Sequence, residues 1–172
     1  MKNRVIPNNQ EVRLTDDSII VSKTDVKGCL TYANRAFMQI SGYKESEILG
    51  KQHNIVRHPD MPRAVFNLLW NDIKQGKECF AYVKNLCKNG DYYWVLANIT
   101  PDYEAGRRVC GYFSVRRKPK PEALVSIIPL YQQMLAAEQA TNTKNAIAAG
   151  TEVLTTHIQT RKQDYEAFIL SL

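Results

Sequence analysis

From Ser18 the chain runs SIIVSKTDVKGCLTYAN, two short stretches rich in β-branched and apolar residues around Asp25 and Gly28. A period near two broken by a turn residue predicts an antiparallel strand pair. The next segment, NRAFMQISGYKESEILGK, is punctuated by Gly42 and Gly50 and predicts short helical pieces, one starting at Lys44-Glu45-Ser46. RAVFNLLWNDIKQG then places Val65, Leu68, Leu69 and Ile73 at helical spacing, with Asp72 as a polar interruption and Gly76 as the C-terminal cap. This is the one long helix expected in the front part of the chain. Beyond it the period changes again. CFAYVKNLCKNGDYYWVLANITP is rich in aromatic and β-branched residues and is split by Asn89-Gly90, a dipeptide suited to a tight hairpin. A third run, RRVCGYFSVRRK, follows a turn at Glu104-Ala105-Gly106. The order of strand, strand, short helices, long helix and three strands predicts an α+β fold: a five-stranded antiparallel sheet with helices on one face.

Past Pro119 and Pro121 the strand character stops. Ala123 to Gln139 reads as helix, with Pro129 either kinking it or opening its second part. Thr151 to Leu172 is expected as a further helix, its stripe of Leu154, Ile158, Tyr165, Phe168, Ile169 and Leu172 interrupted by Arg161. Such a stripe needs a partner surface, on the same chain or on another. The intervening TNTKNAIAAG reads as a turn or a weak helical bridge.

Bulk properties narrow the function classes. At 172 residues, 44% hydrophobic and 23% charged, the chain is expected to be one soluble domain with an appendage. Its longest nearly apolar run, ALVSIIPLY, is interrupted by Ser126 and Pro129 and falls far short of the ~20 residues of a membrane span. The N-terminus is basic without an apolar segment, so no secretory signal is read and the cytoplasm is the expected location. Cys29, Cys79, Cys87 and Cys110 have no C-x-x-C spacing, which argues against a zinc site or a disulfide framework. Residues 1–118 hold 19 basic and 12 acidic side chains, and residues 119–172 hold 4 and 5, so the excess positive charge belongs to the front domain. It is dispersed and carries no helix-turn-helix or RNA-binding signature, so no nucleic-acid partner is expected. With no nucleophile–base–orienter set and no G-x-x-x-x-G-K-[ST] loop, the chain is not read as an enzyme.

Chemistry concentrates in HNIVRHPDMP, His53 to Pro62, which holds two of the three histidines with an arginine, an aspartate and two prolines. Together with VKNLCKNGDYYWVLANITP and GYFSVRRKP, and with the order of elements, this string resembles a PAS domain of the Aer-like subgroup found in aerotaxis and energy-taxis receptors. The resemblance covers roughly Asp17 to Tyr131. It implies a non-covalent flavin, FAD, whose redox state is signalled to a chemotaxis transducer, and it divides the chain into an N-terminal cap (1–16), a PAS sensor domain (17–118) and a C-terminal helical segment for signalling or dimerisation (119–172). It carries over a cofactor set of Arg57, His58, Asp60, Asn34, Phe66 and Asn85, all six of which match, and no metal ligand. One position departs from the family: Cys79 stands where related sequences have a tryptophan near the flavin, with Phe80 on the opposite side of the strand.

The residue types suit that cofactor. Arg57 could make a charge-assisted fork to a pyrophosphate, His58 could donate a hydrogen bond or stack on a ring, and the amides of Asn34 and Asn85 could match both donor and acceptor edges of an isoalloxazine. Plainer roles stand beside these. Asp60 could cap the long helix and Asn34 the helix that follows it, while Phe66, Trp70, Tyr92 and Trp94 could serve simply as core. The competing functions are a haem-binding gas sensor using His53 or His58 as axial ligand, and a ligand-free dimerisation module. A blue-light flavin-thiol sensor is disfavoured because the short-helix segment has no cysteine. The expected partners are a separate membrane-bound transducer or a second copy of this chain, with no direct membrane insertion.

Overall fold

A computed structural model of the protein describes residues 5–105 and 108–172. Five strands, β1 (Ile20–Asp25), β2 (Leu30–Ala33), β3 (Cys79–Leu86), β4 (Tyr92–Tyr103) and β5 (Val109–Arg117), form one antiparallel sheet in the order β2-β1-β5-β4-β3. Between β2 and β3 lie α1 (Arg35–Ser41), α2 (Glu45–Ile48), a 3-10 turn (His53–Val56) and α3 (Arg63–Lys74), the expected long helix. Three helices follow the sheet: α4 (Pro121–Gln139), α5 (Ala146–Gln159) and α6 (Tyr165–Leu170).

The sheet follows from alternation. β1 buries Ile20 and Ser22, and β4 buries Tyr93, Val95, Ala97 and Ile99, every second residue facing the helices. Register is continuous from Ile20↔Arg116 to Asp25↔Gly111 between β1 and β5, and from Cys79↔Ile99 to Leu86↔Tyr92 between β3 and β4. The Asn89-Gly90 turn is present, with Gly90 at φ +98°. A Cβ there would lie 2.6 Å from the Ile6 carbonyl oxygen, so only glycine lets the N-terminal segment close over the hairpin. That segment continues as a short ladder against β4, Val12 N–H donating to Tyr92 and Tyr92 N–H to Gln10. α3 ends at Lys74 with Gln75 as its cap, and Gly76 adopts the left-handed φ of +82° that the sequence anticipates. Of the turn expected at Glu104-Ala105-Gly106, Gly106 lies outside the described residues.

Two expectations need correction. The helix read from Thr151 to Leu172 is broken: α5 ends at Gln159, Lys162 takes a positive φ of 54°, and Asp164 caps a separate α6 by accepting the Ala167 N–H at 2.7 Å. The polar run Thr160 to Gln163 and the capping signal of Asp164 outweigh a stripe that Arg161 had already interrupted. In the other direction, the helical bridge is stronger than expected, because Ala146–Gly150 is the first turn of α5. The proline in α4 interrupts nothing and sits within one continuous helix.

The C-terminal helices fold back on their own chain. α5 packs between α4 and α3, and α6 lies on β3, burying Leu154, Ile158, Phe168 and Ile169. β3 is an edge strand, and its exposed backbone is covered: the Tyr131 hydroxyl donates to the Tyr82 carbonyl at 2.9 Å, and an isolated antiparallel bridge joins Asn85 to Arg57. α3 begins at Pro62 with no cap from its own segment; the Glu138 carboxylate of α4 accepts the Arg63 and Ala64 N–H groups at 2.9 and 2.8 Å. The capping role open to Asp60 is therefore filled by a residue 78 positions further on.

Candidate functional site

Between the helix-facing side of the sheet, the 3-10 turn and α3 lies a cavity of about 200 Å³. A single water needs only ~10–15 Å³ on this kind of measure, so the space is far larger than a packing flaw. Phe66, Leu69, Trp70 and Ile73 of α3 face Val83, Ala97, Ile99 and Tyr112 of the sheet, making two apolar walls. The Trp70 ring stands edge-on to Tyr112, with centroids 5.4 Å apart. Polar groups enter from the 3-10 turn (His53, Arg57) and from the strands (Ser22, Asn85, Ser114, Arg116).

The structure brings three of the six carried-over residues together at this cavity: Arg57, Phe66 and Asn85. The Arg57 guanidinium lies 4.2 Å over the Phe66 ring and donates from Nη2 to the Met61 carbonyl at 3.2 Å. Its backbone bridges to Asn85, so the turn fixes both side chains on one rim. Burial lowers the Arg57 pKa from its ordinary value, against the pull of Glu138.

His58 and Asp60 lie beside this rim but outside the cavity wall. The His58 ring is buried, with Nδ1 accepting the Asp60 N–H at 3.1 Å and Nε2 without a hydrogen-bond partner. Burial, followed by the charge of Lys84, pushes its pKa down to about 4, so the 3.4 Å approach to the Asp60 carboxylate is a contact of a neutral ring rather than an ion pair. Asp60 is instead paired with Lys84 at 2.6 Å, and Lys84 sits 4.1 Å over the Tyr92 ring. Asn34 is further away still. Its Oδ1 accepts from Phe37 and Val21, and its Nδ2 donates to the Ile19 carbonyl, so the amide caps α1 and ties it to β1. Cys79 is buried outside the wall, its thiol pushed up to about 12 by burial. Trp70 is part of the cavity, whereas Trp94 packs near Tyr131.

A further buried polar group lies on β5. Arg116 is 5% exposed, and among the described residues no carboxylate pairs with it. Its Nη2 donates to Ser22 Oγ at 2.9 Å and to His53 Nε2 at 2.6 Å. Burial and the Arg116 charge push the His53 pKa down to about 3, so the ring is a neutral acceptor, protonated on Nδ1. Among the described residues, Arg116 Nη1 and the Ser114 hydroxyl have no hydrogen-bond partner. An unpaired buried ion costs several kcal/mol, and such a cost persists in a folded protein when something else answers the charge. The signal lay in GYFSVRRKP: strand alternation puts Tyr112, Ser114 and Arg116 on the inner face, two polar residues where a core strand has apolar ones.

The fold and this cavity define a PAS-type sensor domain, and residues 30–115 match the family described as PAS fold; the chain belongs to that family. Within it the domain is Aer-like. Over 127 residues it is 42% identical to the aerotaxis receptor of Escherichia coli K12, a match that covers 74% of this chain and 25% of the receptor. The nitrogen fixation regulatory protein of Klebsiella pneumoniae is 26% identical over 58% of this chain and 20% of its own length. The chain thus spans about a quarter or less of these relatives. Among solved structures, the light state of the Aureochrome1 LOV photoreceptor superimposes with a TM-score of 0.58 at 19% identity, over 64% of this chain and 88% of that one. A light-oxygen-voltage domain studied with a flavin analogue gives 0.56 at 19%, over 64% and 83%. Both likenesses are of fold.

Proposed function

We propose that this chain is an FAD-binding PAS redox sensor for energy taxis, which passes the flavin's redox state to a membrane-bound chemotaxis transducer. The observation that carries the reading is the cavity itself: two facing apolar walls, with Asn85, Ser114 and Arg116 among its polar lining residues and with donors on the last two left without a hydrogen-bond partner. Those groups fit a flavin. Asn85 can read a ring edge that both donates and accepts, the unpaired N–H and O–H groups suit carbonyl and ring-nitrogen acceptors, and Arg57 at the rim can take a phosphate. Bound there, FAD supplies reversible electron acceptance. The protein supplies position, exclusion of water by Leu69, Trp70 and Ile73, and a route outward along α3 to Glu138 and the C-terminal helices. His58, Asp60 and Asn34 then act from outside the cavity, holding the rim turn and α1.

The similarity to an aerotaxis receptor supports the signalling role, and the flavin-analogue structure on the same fold supports the cofactor class. Among the described residues no helix is long and apolar enough to cross a membrane. The four free thiols suit the reducing cytoplasm, where we place this domain. The haem alternative gains no support, since His53 Nε2 is already held by an arginine and His58 lies outside the cavity. The absorption spectrum of purified protein tests the reading. A two-banded yellow chromophore released by heat is the expected result, and a Soret band or a colourless protein after purification with ample flavin overturns it.

A further inference from the structure

We propose that Arg116, with Ser114 beside it, forms a charge-reading site at the deep end of the cavity that holds the negatively charged, reduced form of the flavin ring in preference to the neutral, oxidised form. The inference rests on the flavin reading and adds to it a specific role for the inner face of β5.

The charge inventory of the cavity is one-sided. Among the described residues its wall carries Arg57 and Arg116 and no aspartate or glutamate. The two cations differ in place: Arg57 is only partly buried, stacked on Phe66 at the rim, whereas Arg116 is 5% exposed and sits behind the apolar walls. A phosphate keeps its hydration at the rim, so the charge that Arg116 faces must come from the part of the ligand that enters deepest, which is the ring. Nor is the cation neutralised by its own neighbours. Ser22 and His53 accept from Nη2 as neutral groups, and the Phe37 ring lies 5.8 Å from the guanidinium carbon. These contacts lock the plane of the guanidinium and leave Nη1 with both hydrogens unused, next to a Ser114 hydroxyl that is likewise unpaired.

A fixed cation in a dry site interacts weakly with a neutral ring and strongly with an anionic one, because there is little water to screen it. The preference is therefore built into the empty fold: the donors are oriented and desolvated before any ligand arrives. A cation of this kind favours reduction of whatever ring it faces. It also gives the sensor a charge change at a point held by β1, β5 and the 3-10 turn together, through Ser22, Arg116 and His53.

Direct titration decides the matter. The full chain, stripped of ligand, is titrated in mildly alkaline buffer with oxidised FAD and, without oxygen, with FAD kept reduced by dithionite. The reduced form should bind about 10- to 100-fold more tightly, the equivalent of one charge-assisted hydrogen bond. Arg116→Gln, which keeps donors but removes the charge, should bring the two affinities level, while Arg116→Lys should retain part of the preference. Equal affinities in the parent protein, or a preference that survives in Arg116→Gln, overturn the proposal and leave the flavin reading standing. Failure of the parent to bind either form overturns both. Should the glutamine variant not fold, Ser114→Ala serves in its place: it should weaken the reduced form more than the oxidised one, and equal weakening counts against the site.

Discussion

Glu138, near the end of α4, accepts the backbone N–H of Ala64 at 2.8 Å, joining the C-terminal helices to the first turn of the helix that forms one wall of the cavity. The carboxylate is 5% exposed and also holds the Arg63 N–H, so it answers two of the donors that a helix start leaves unpaired. Gly150 of α5 lies directly against it: a Cβ there would stand 2.6 Å from Glu138 Oε1 and 3.1 Å from the Ala64 Cβ. Glu138→Ala should cost about 1–3 kcal/mol of stability in urea unfolding. Gly150→Ala should cost a similar amount by displacing the same carboxylate, and the double variant should lose less than the two together. Additive losses would mean that the two residues act separately.

Arg57 and Asp60 should separate in their effect on cofactor content. Arg57 is at the cavity rim, stacked on Phe66, whereas Asp60 is outside it and 56% exposed, tied to Lys84. Arg57→Ala should lower flavin affinity about 10- to 100-fold, and Asp60→Ala should lower it less, because an exposed ion pair contributes ~0–1 kcal/mol. Flavin released per mole of purified protein measures both. Full occupancy in Arg57→Ala would remove the residue from the site.

Asn34 gives the opposite pattern. Its three hydrogen bonds to Ile19, Val21 and Phe37 make it a joint between α1 and β1. Asn34→Ala should therefore destabilise the fold by about 1–2 kcal/mol, the scale of a lost N-cap, while flavin affinity measured below the unfolding transition changes little. A thermal melt and a flavin titration on the same sample distinguish the two readings.

These placements show which parts of the molecule the sequence made legible. Strand and helix periods, with Gly76 and Asn89-Gly90 as punctuation, are local signals, and the five-strand order, α3 and the Asn34 cap all follow from them. The rim residues Arg57, Phe66 and Asn85 were legible through the motif. What escaped was non-local. Glu138 caps a helix 74 positions away, and Arg116 meets His53 only because β5 lies beside β1. The break at Lys162 escaped for another reason: a positive φ at a lysine has no strong residue signature, and the apolar stripe continued across it.

The C-terminal stripe should behave as core. Ile158 and Phe168 are buried against the same chain, so Ile158→Ala should cost about 2–4 kcal/mol and Phe168→Ala about 3–5. Charged replacements at Ile158 would thus disturb the fold before they could report on association. Val125 of α4, 75% exposed, is the cleaner probe: Val125→Asp should leave stability within about 0.5 kcal/mol, and any loss of transducer binding or self-association in that variant can be read directly.

Acid should unfold the ligand-free protein earlier than its carboxylates alone would. Burial, aided by Arg116, pushes His53 from 6.5 down to about 3, and burial, aided by Lys84, pushes His58 down to about 4. Both rings are neutral when folded and regain their ordinary pKa when unfolded. Folded values below the unfolded ones mean that the unfolded chain binds more protons at intermediate pH, so this share of stability is complete above 6.5 and is lost as pH falls towards 4 and 3. Each ring can contribute a slope of up to about 1.4 kcal/mol per pH unit in that window. Urea midpoints between about pH 7 and about pH 5 should fall steeply, and His53→Gln, which keeps an acceptor for Arg116 without titrating, should remove close to half of the slope. A flat profile over that range would mean that the two histidines take up protons as readily in the folded state as in the unfolded chain, and the acid-resistant neutral acceptor assigned to Arg116 would be lost with it.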